Sequence, residues 1–265
     1  MLGSGTEWLW GAGTSQGTGM HRLENLSVAI STRNRPEVLD RSIRRTRERG
    51  VYAPTIVYDD ASEHPVEEAV RGVPDCRVVR GQTQIGPGRG RNAAAALAKT
   101  DYILFLDDDT YPESAECVSL ALKFIAEHPA YAAVAFRMVR TYDMATSFPA
   151  DISPGPCASF AGGAVLIRRT PFEALGGYRN WLTFGAEDTD LAWRLIASGY
   201  RIWRNPAWVI LHDHVAVGRD IGFEEFHYAR SQVLLNALNL GWPLGLIRGI
   251  LASANRGRRS QRKLH

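Results

Sequence analysis

The chain has 265 residues, 45% hydrophobic and 22% charged, enough for one large α/β domain with a full core. Its formal charge of +3 is misleading, because Arg256, Arg258, Arg259, Arg262 and Lys263 crowd the final stretch and the rest holds 26 basic against 28 acidic residues. The body is therefore no basic platform, which argues against nucleic acid as a main partner. Cys76, Cys117 and Cys157 are far apart and lack metal-ligand spacing, as expected of a cytoplasmic protein in a reducing compartment. No basic segment followed by an apolar core opens the chain, and no apolar run has the length of a membrane span.

Residues 1–25 are rich in Gly, Ser and Thr, with Trp8 and Trp10 as large anchors, and read as a flexible arm. The first strand is expected at 26–31, closed by Thr32-Arg33-Asn34-Arg35-Pro36, with a helix from Pro36. A second strand follows at 52–58, ending in Asp59-Asp60-Ala61-Ser62. A helix at 63–71 and a third strand at 76–79 complete a β-α-β-α-β alternation. That alternation predicts a mostly parallel central sheet with helices on both faces. Gly86-Pro87-Gly88-Arg89-Gly90-Arg91-Asn92 is expected as a loop leading into an alanine-rich helix at 93–99. It fits neither the Walker pattern nor Gly-x-Gly-x-x-Gly, and on its own serves equally as a diphosphate cradle or as a plain helix-starting loop.

Residues 102–112, Tyr-Ile-Leu-Phe-Leu-Asp-Asp-Asp-Thr-Tyr-Pro, are the centre of the sequence. Five apolar residues make a buried strand that delivers Asp107, Asp108 and Asp109 at its C-terminal edge. Three adjacent anions repel, and hard oxygen donors suit Mg or Mn; the plainer reading is a solvated turn. Beyond this strand the pattern predicts a helix from Pro112 to about Glu127, a strand at 131–139 and a loop at 140–159 long enough for a substrate lid. A strand at 165–167 and a short helix with a Thr170-Pro171-Phe172-Glu173 capping box come next. Trp181 to Asp190 runs Trp-Leu-Thr-Phe-Gly-Ala-Glu-Asp-Thr-Asp and puts Glu187, Asp188 and Asp190 in the first turn of an amphipathic helix. The macrodipole alone would favour acids there, but a second acidic cluster also supplies the base that a metal-assisted transfer needs. Strands at 200–204 and 208–211 end in His212-Asp213-His214, of which at most one histidine should point inward. A helix at 222–240 follows. Residues 241–251 with the basic stretch have the character of an interfacial amphipathic segment, and equally of one that packs on the body or on a second copy.

In order and spacing, these motifs resemble family 2 glycosyltransferases of the GT-A fold over about residues 26–215. The carriers are Ser-Thr-Arg-Asn-Arg-Pro, Val-Tyr-Asp-Asp-Ala-Ser, Gly-Arg-Asn-Ala, Phe-Leu-Asp-Asp-Asp-Thr, Gly-Gly-Ala-Val-Leu-Ile-Arg-Arg, Gly-Ala-Glu-Asp-Thr-Asp-Leu-Ala-Trp-Arg and a histidine past a strand. The resemblance implies one catalytic domain, with a nucleotide half at about 26–112 and an acceptor half at 113–215, followed by a helical extension at 216–265. It implies a nucleoside-diphosphate sugar donor, a Mg or Mn ion and inversion at the sugar carbon. Ser31, Arg33, Asp60, Arg91, Asp107 and Asp108 would bind the donor, with Asp60 on the base, typically uracil. Asp109, with Asp107 and His212, would hold the metal. Asp188 would be the general base beside Glu187, and Gly163, Trp181 and Phe184 would meet the acceptor. Two departures stand out: Ser31 replaces the usual proline, and Asp-Asp-Gly-Ser has become Asp-Asp-Ala-Ser. A nucleotidyltransferase and a non-catalytic sugar-binding module are the rival readings.

Overall fold

The computed structural model describes residues 23–142, 153–217, 221–240 and 243–251. Among them nine strands form one sheet, β1 (Leu26–Thr32), β2 (Thr55–Asp59), β3 (Cys76–Arg80), β4 (Tyr102–Asp107), β5 (Thr110–Pro112), β6 (Tyr131–Arg140), β7 (Gly155–Cys157), β8 (Ala164–Arg168) and β9 (Arg201–His212). They lie in the order β3-β2-β1-β4-β8-β6-β9-β5, with β7 also on β9. Six run one way, while β5, β7 and β8 run against them. The expected mostly parallel architecture holds.

Period-two alternation divides the core. Val28, Ile30, Leu104 and Leu106 face α1 (Pro36–Glu48) and α3 (Ala115–Glu127) through Leu39, Ile43, Val118 and Ile125. Ala29, Ile103, Phe105 and Ile167 face α2 (Pro87–Ala95), α4 (Arg169–Ala174) and α5 (Glu187–Ala197) through Ala94, Phe172, Leu191 and Leu195. Strands buried on both faces need near-continuous apolar sequence, and β4 has it. The helix α6 (Ile221–Leu240) follows, and a further helical stretch at 244–251 packs on it. Gly245 and Gly249 make that packing possible, because an added Cβ at either would collide with α6 backbone at Ala237 or Val233. None of the described helices is long and apolar enough to cross a membrane.

Several local expectations are corrected. Residues 63–71 form successive turns, with Ala69, Val70 and Arg71 each donating three residues back; Pro65 interrupts the segment, and the Asp59 carboxylate accepts the Ser62 amide at 2.9 Å at its entry. β2 starts only at Thr55, after Pro54. The glycine-rich segment is itself the first turn of α2: Pro87 suits the opening position, and Gly86, at φ 88°, makes the left-handed turn into it. Pro112 does not open α3. It lies in the edge strand β5, where a missing N–H costs nothing, and Ser114 caps α3 by accepting from the Cys117 amide. The Thr170 capping box does not form, since α4 begins at Arg169, whose side chain holds Glu173 at 3.0 Å. The two strands expected at 200–204 and 208–211 are one, β9, with Asn205 and Pro206 absorbed at a register shift opposite Phe136 and Arg137. Of the expected arm, lid and basic stretch, residues 1–22, 143–152 and 252–265 lie outside the described residues.

Candidate active site

Parallel register aligns the C-terminal ends of three strands. Ser31 pairs with both Tyr58 and Asp107, and Thr32 pairs with Asp59. The polar residues that close these strands therefore share one sheet edge, where open α/β sheets place ligands.

At that edge the three aspartates point to different partners. Asp107 is held by Arg91 from α2. Asp108, nearly fully buried, accepts from Thr32 Oγ1 at 2.6 Å and is ion-paired with Arg35. Burial nonetheless pushes its carboxyl up to about 7, with Arg35 opposing and Asp109 reinforcing the rise. Burial would also raise Asp109, but its hydrogen bond to His212 and the charges of His212 and Arg35 outweigh this and hold it below the usual carboxylate range. Asp109 Oδ2 accepts from Arg35 Nη2 at 2.8 Å and from the Val215 amide at 3.2 Å, while Oδ1 lies 3.2 Å from His212 Nε2.

The second acidic pair reaches the first through Arg91. This guanidinium is buried among α2, β4 and α5, with Nη1 3.3 Å from Glu187 Oε1 and Nη2 on Asp107. Ala186, at φ 66°, turns the chain into α5 just before Glu187. Asp188 is half-buried and accepts from the Gly162 amide at 3.3 Å and the Thr189 amide at 2.7 Å. Burial raises both carboxyls; Asp188 further raises Glu187, and Arg91 lowers both. Gly162 and Gly163 let β8 pass this close. A Cβ on Gly163 would overlap the Asp107 carboxylate, and one on Gly162 would press on the Arg91 guanidinium.

The donor chemistry suits a divalent cation. Two ligands each about 2.1 Å from one octahedral ion lie roughly 3 Å apart, which matches the 3.2 Å between Asp109 Oδ1 and His212 Nε2. Among the described residues no group of three or more His, Cys, Asp or Glu is arranged to hold a metal. Asp109 and His212 would thus be the two protein groups that hold the ion. Asp107, expected as a second ligand, is instead engaged by Arg91.

Other expected site residues lie around this centre. Asp60 is buried and accepts from the Ile85 and Gly86 amides at 2.7 and 2.9 Å, so it also anchors the entry to α2. Its carboxyl is raised, first by burial, against those two bonds and the Arg33 charge. Ser31 packs against Gly90 of α2. Trp181 and Phe184 are tied by their carbonyls to Arg230 and Ser231 of α6, at 2.9 Å each. Trp181 also lies under the Arg179 guanidinium. Sequence reasoning missed Thr32, Arg35 and Val215. An arginine just before a helix-opening proline, at the edge shared with an acidic strand, was the available signal for Arg35.

Residues 27–183 match the Glycosyl transferase family 2. A pre-mycofactocin glycosyltransferase of Mycobacterium tuberculosis (strain H37Rv) is 31% identical over 214 residues, 74% of this chain and 44% of its own length. The chain thus spans under half of this curated relative. Among solved structures, a Pyrobaculum calidifontis mannosyltransferase in complex with GDP-Man and Mn2+ superposes with a TM-score of 0.64 at 20% identity, covering 87% of this chain and 68% of that one. S. aureus TarS 1–349 gives 0.62 at 19% identity, covering 86% and 69%. GalNAc-T7 with UDP, GalNAc and Mn2+ gives 0.60 at 16%, covering 78% and 47%. At such identities these structures share the fold.

Proposed function

The chain belongs to glycosyl transferase family 2, and from that premise we propose that it is a metal-dependent inverting glycosyltransferase. It moves a sugar from a nucleoside-diphosphate sugar, a UDP-sugar foremost, to an acceptor nucleophile that the sequence and structure leave unnamed. The observation that carries this reading is the bridge made by Arg91. One buried guanidinium joins Asp107 of the acidic strand to Glu187 of the later helix, so a donor-side and an acceptor-side carboxylate group form one charge cluster. Structural neighbours that bind GDP-Man, UDP-GlcNAc or UDP support the donor class.

Each residue has a distinct task. Asp109 and His212 would hold a Mg or Mn ion, which would neutralise charge on the departing diphosphate. Arg91 neutralises Asp107 and Glu187 between them, and its planar fork is the group assigned to the diphosphate. Asp60, with the charge of Arg33 acting on it, is assigned to the nucleotide base side of the donor. Asp188 is the better-exposed carboxylate of its pair, so it takes the acceptor proton, while buried Glu187 positions Arg91. Gly162 and Gly163 let the chain entering β8 close tightly on Asp107 and Arg91 and so keep that pair in place. One displacement, with the base opposite the leaving group, inverts the reacting carbon.

A thermal-shift panel of nucleoside diphosphates and nucleotide sugars, with and without Mn, tests donor and metal together. A Mn-dependent rise in melting temperature with one nucleotide family is expected. No stabilisation by any of them, or release of pyrophosphate from a nucleoside triphosphate, would overturn the reading.

A further inference from the structure

Three features lie outside the proposed chemistry: the outward apolar side of α6 with residues 244–251, the cavity beside Tyr52 and Val73, and the guanidinium of Arg35. Nothing in the structure says what covers the first or fills the second. Arg35 is different, because its contacts converge on the candidate metal ligand from three sides.

Arg35 caps the start of α1 and is nearly buried, its side chain 11% exposed. Its backbone has little freedom. Asn34 before it is at φ 56° and is pinned to the next loop, donating its amide to Ser62 Oγ at 2.8 Å and accepting the Glu63 amide at 2.7 Å. Pro36 after it begins the helix. From that fixed root the guanidinium pairs with Asp108 through Nη1, while Nη2 reaches Asp109 Oδ2 and the Val215 carbonyl, both at 2.8 Å. The Val215 amide returns to the same Asp109 oxygen at 3.2 Å, and the Asp213 amide donates to the Asp109 carbonyl at 2.9 Å. Both groups on Oδ2 are donors, so only Oδ1 is left facing His212 Nε2.

We propose that Arg35 is a positioning residue for the metal: by clamping Asp109 Oδ2 and the Val215 peptide together, it orients Oδ1 and His212 toward a common cation. The inference rests on the proposed metal site and adds to it a residue that would touch neither metal nor donor. A cation close to a metal site also repels the metal, so removal of a competitor would tighten binding and removal of a bystander would leave it unchanged. Outer partners that orient a ligand typically contribute about 10–100-fold in metal affinity, and that is the scale expected here.

The test is a Mn2+ titration followed by electron paramagnetic resonance, with UDP and GDP in parallel, on the unaltered chain, Arg35→Gln and Arg35→Lys. Arg35→Gln should weaken Mn binding roughly 10–100-fold, and Arg35→Lys should recover part of it without restoring the two-point grip. Because Arg35→Gln strands a buried carboxylate and can unfold the chain, the double variant Arg35→Gln/Asp108→Asn removes charge and counter-charge together. It should show the same weakening with a melting temperature near that of the parent. Unchanged Mn affinity in folded variants would make Arg35 merely structural, and tighter binding would make it a competitor; either overturns the proposal. Failure of the unaltered chain to bind Mn would instead remove the metal site itself, and Arg35's role with it.

Discussion

Asp109 Oδ1 and His212 Nε2 face each other at 3.2 Å across the point where β5 and β9 pair antiparallel, Thr110 opposite His212. These two residues are 103 positions apart, and only the pairing of a three-residue edge strand with β9 brings them together. If they hold the cation, each has a separate signature. Asp109→Asn should lose Mn-dependent turnover by at least about 10²-fold, as expected when charge stabilisation of a leaving group is removed. His212→Gln should chiefly raise the Mn concentration needed for half-maximal rate. Steady-state kinetics across a Mn series separates the two, and equal activity of Asp109→Asn at all concentrations would dismiss the anchor.

As the proposed general base, Asp188 would act only when ionised. Burial raises its carboxyl above the ordinary aspartate range, against the amides of Thr189 and Gly162 and the charge of Arg91. Turnover should therefore fall as pH drops through that raised value, giving an acid limb higher than a free aspartate would produce. Asp188→Asn should lower kcat by about 10²–10⁴-fold, the usual worth of a general base. Donor affinity by calorimetry should stay within a few-fold. A variant that keeps the acid limb and the rate would assign the proton to another group.

Ala61 stands where the resembling motif has glycine, and it is held at φ 55°. A left-handed conformation costs a Cβ-bearing residue about 1–2 kcal/mol, partly offset by glycine's greater freedom when unfolded. Ala61→Gly should thus stabilise the chain by about 0.5–1 kcal/mol, raising its melting temperature by a few degrees. Calorimetry reads this directly; a drop would mean that the methyl packs usefully.

Gly163→Ala tests the close passage of β8. The new methyl would overlap the Asp107 carboxylate, so Asp107 and its partner Arg91 must shift. A loss of about 1–3 kcal/mol in stability is expected from forced overpacking, together with weaker nucleotide binding. Donor binding at the parental level would show that the Asp107–Arg91 pair is not part of the donor pocket.

The amphipathic and apolar periodicities of the chain were enough to place β1, β4, β8, α1 and α5, since burial on one or two faces is written directly into which positions are apolar. The alternation of these elements also conveyed the parallel sheet, and three carboxylates after five apolar residues marked its active edge. What local pattern could not convey was competition for the backbone. Pro65 interrupts the segment at 63–71, Pro112 settles on an edge strand, and Asn205-Pro206 is bridged because β6 continues to pair past it. The partners within the site were equally hidden. Arg91 joining Asp107 to Glu187, and Arg35 holding Asp109 against Val215, span 16 to 180 residues of chain. Side chains so distant meet only when sheet register and helix packing fix their roots, and neither is encoded in any short window of sequence.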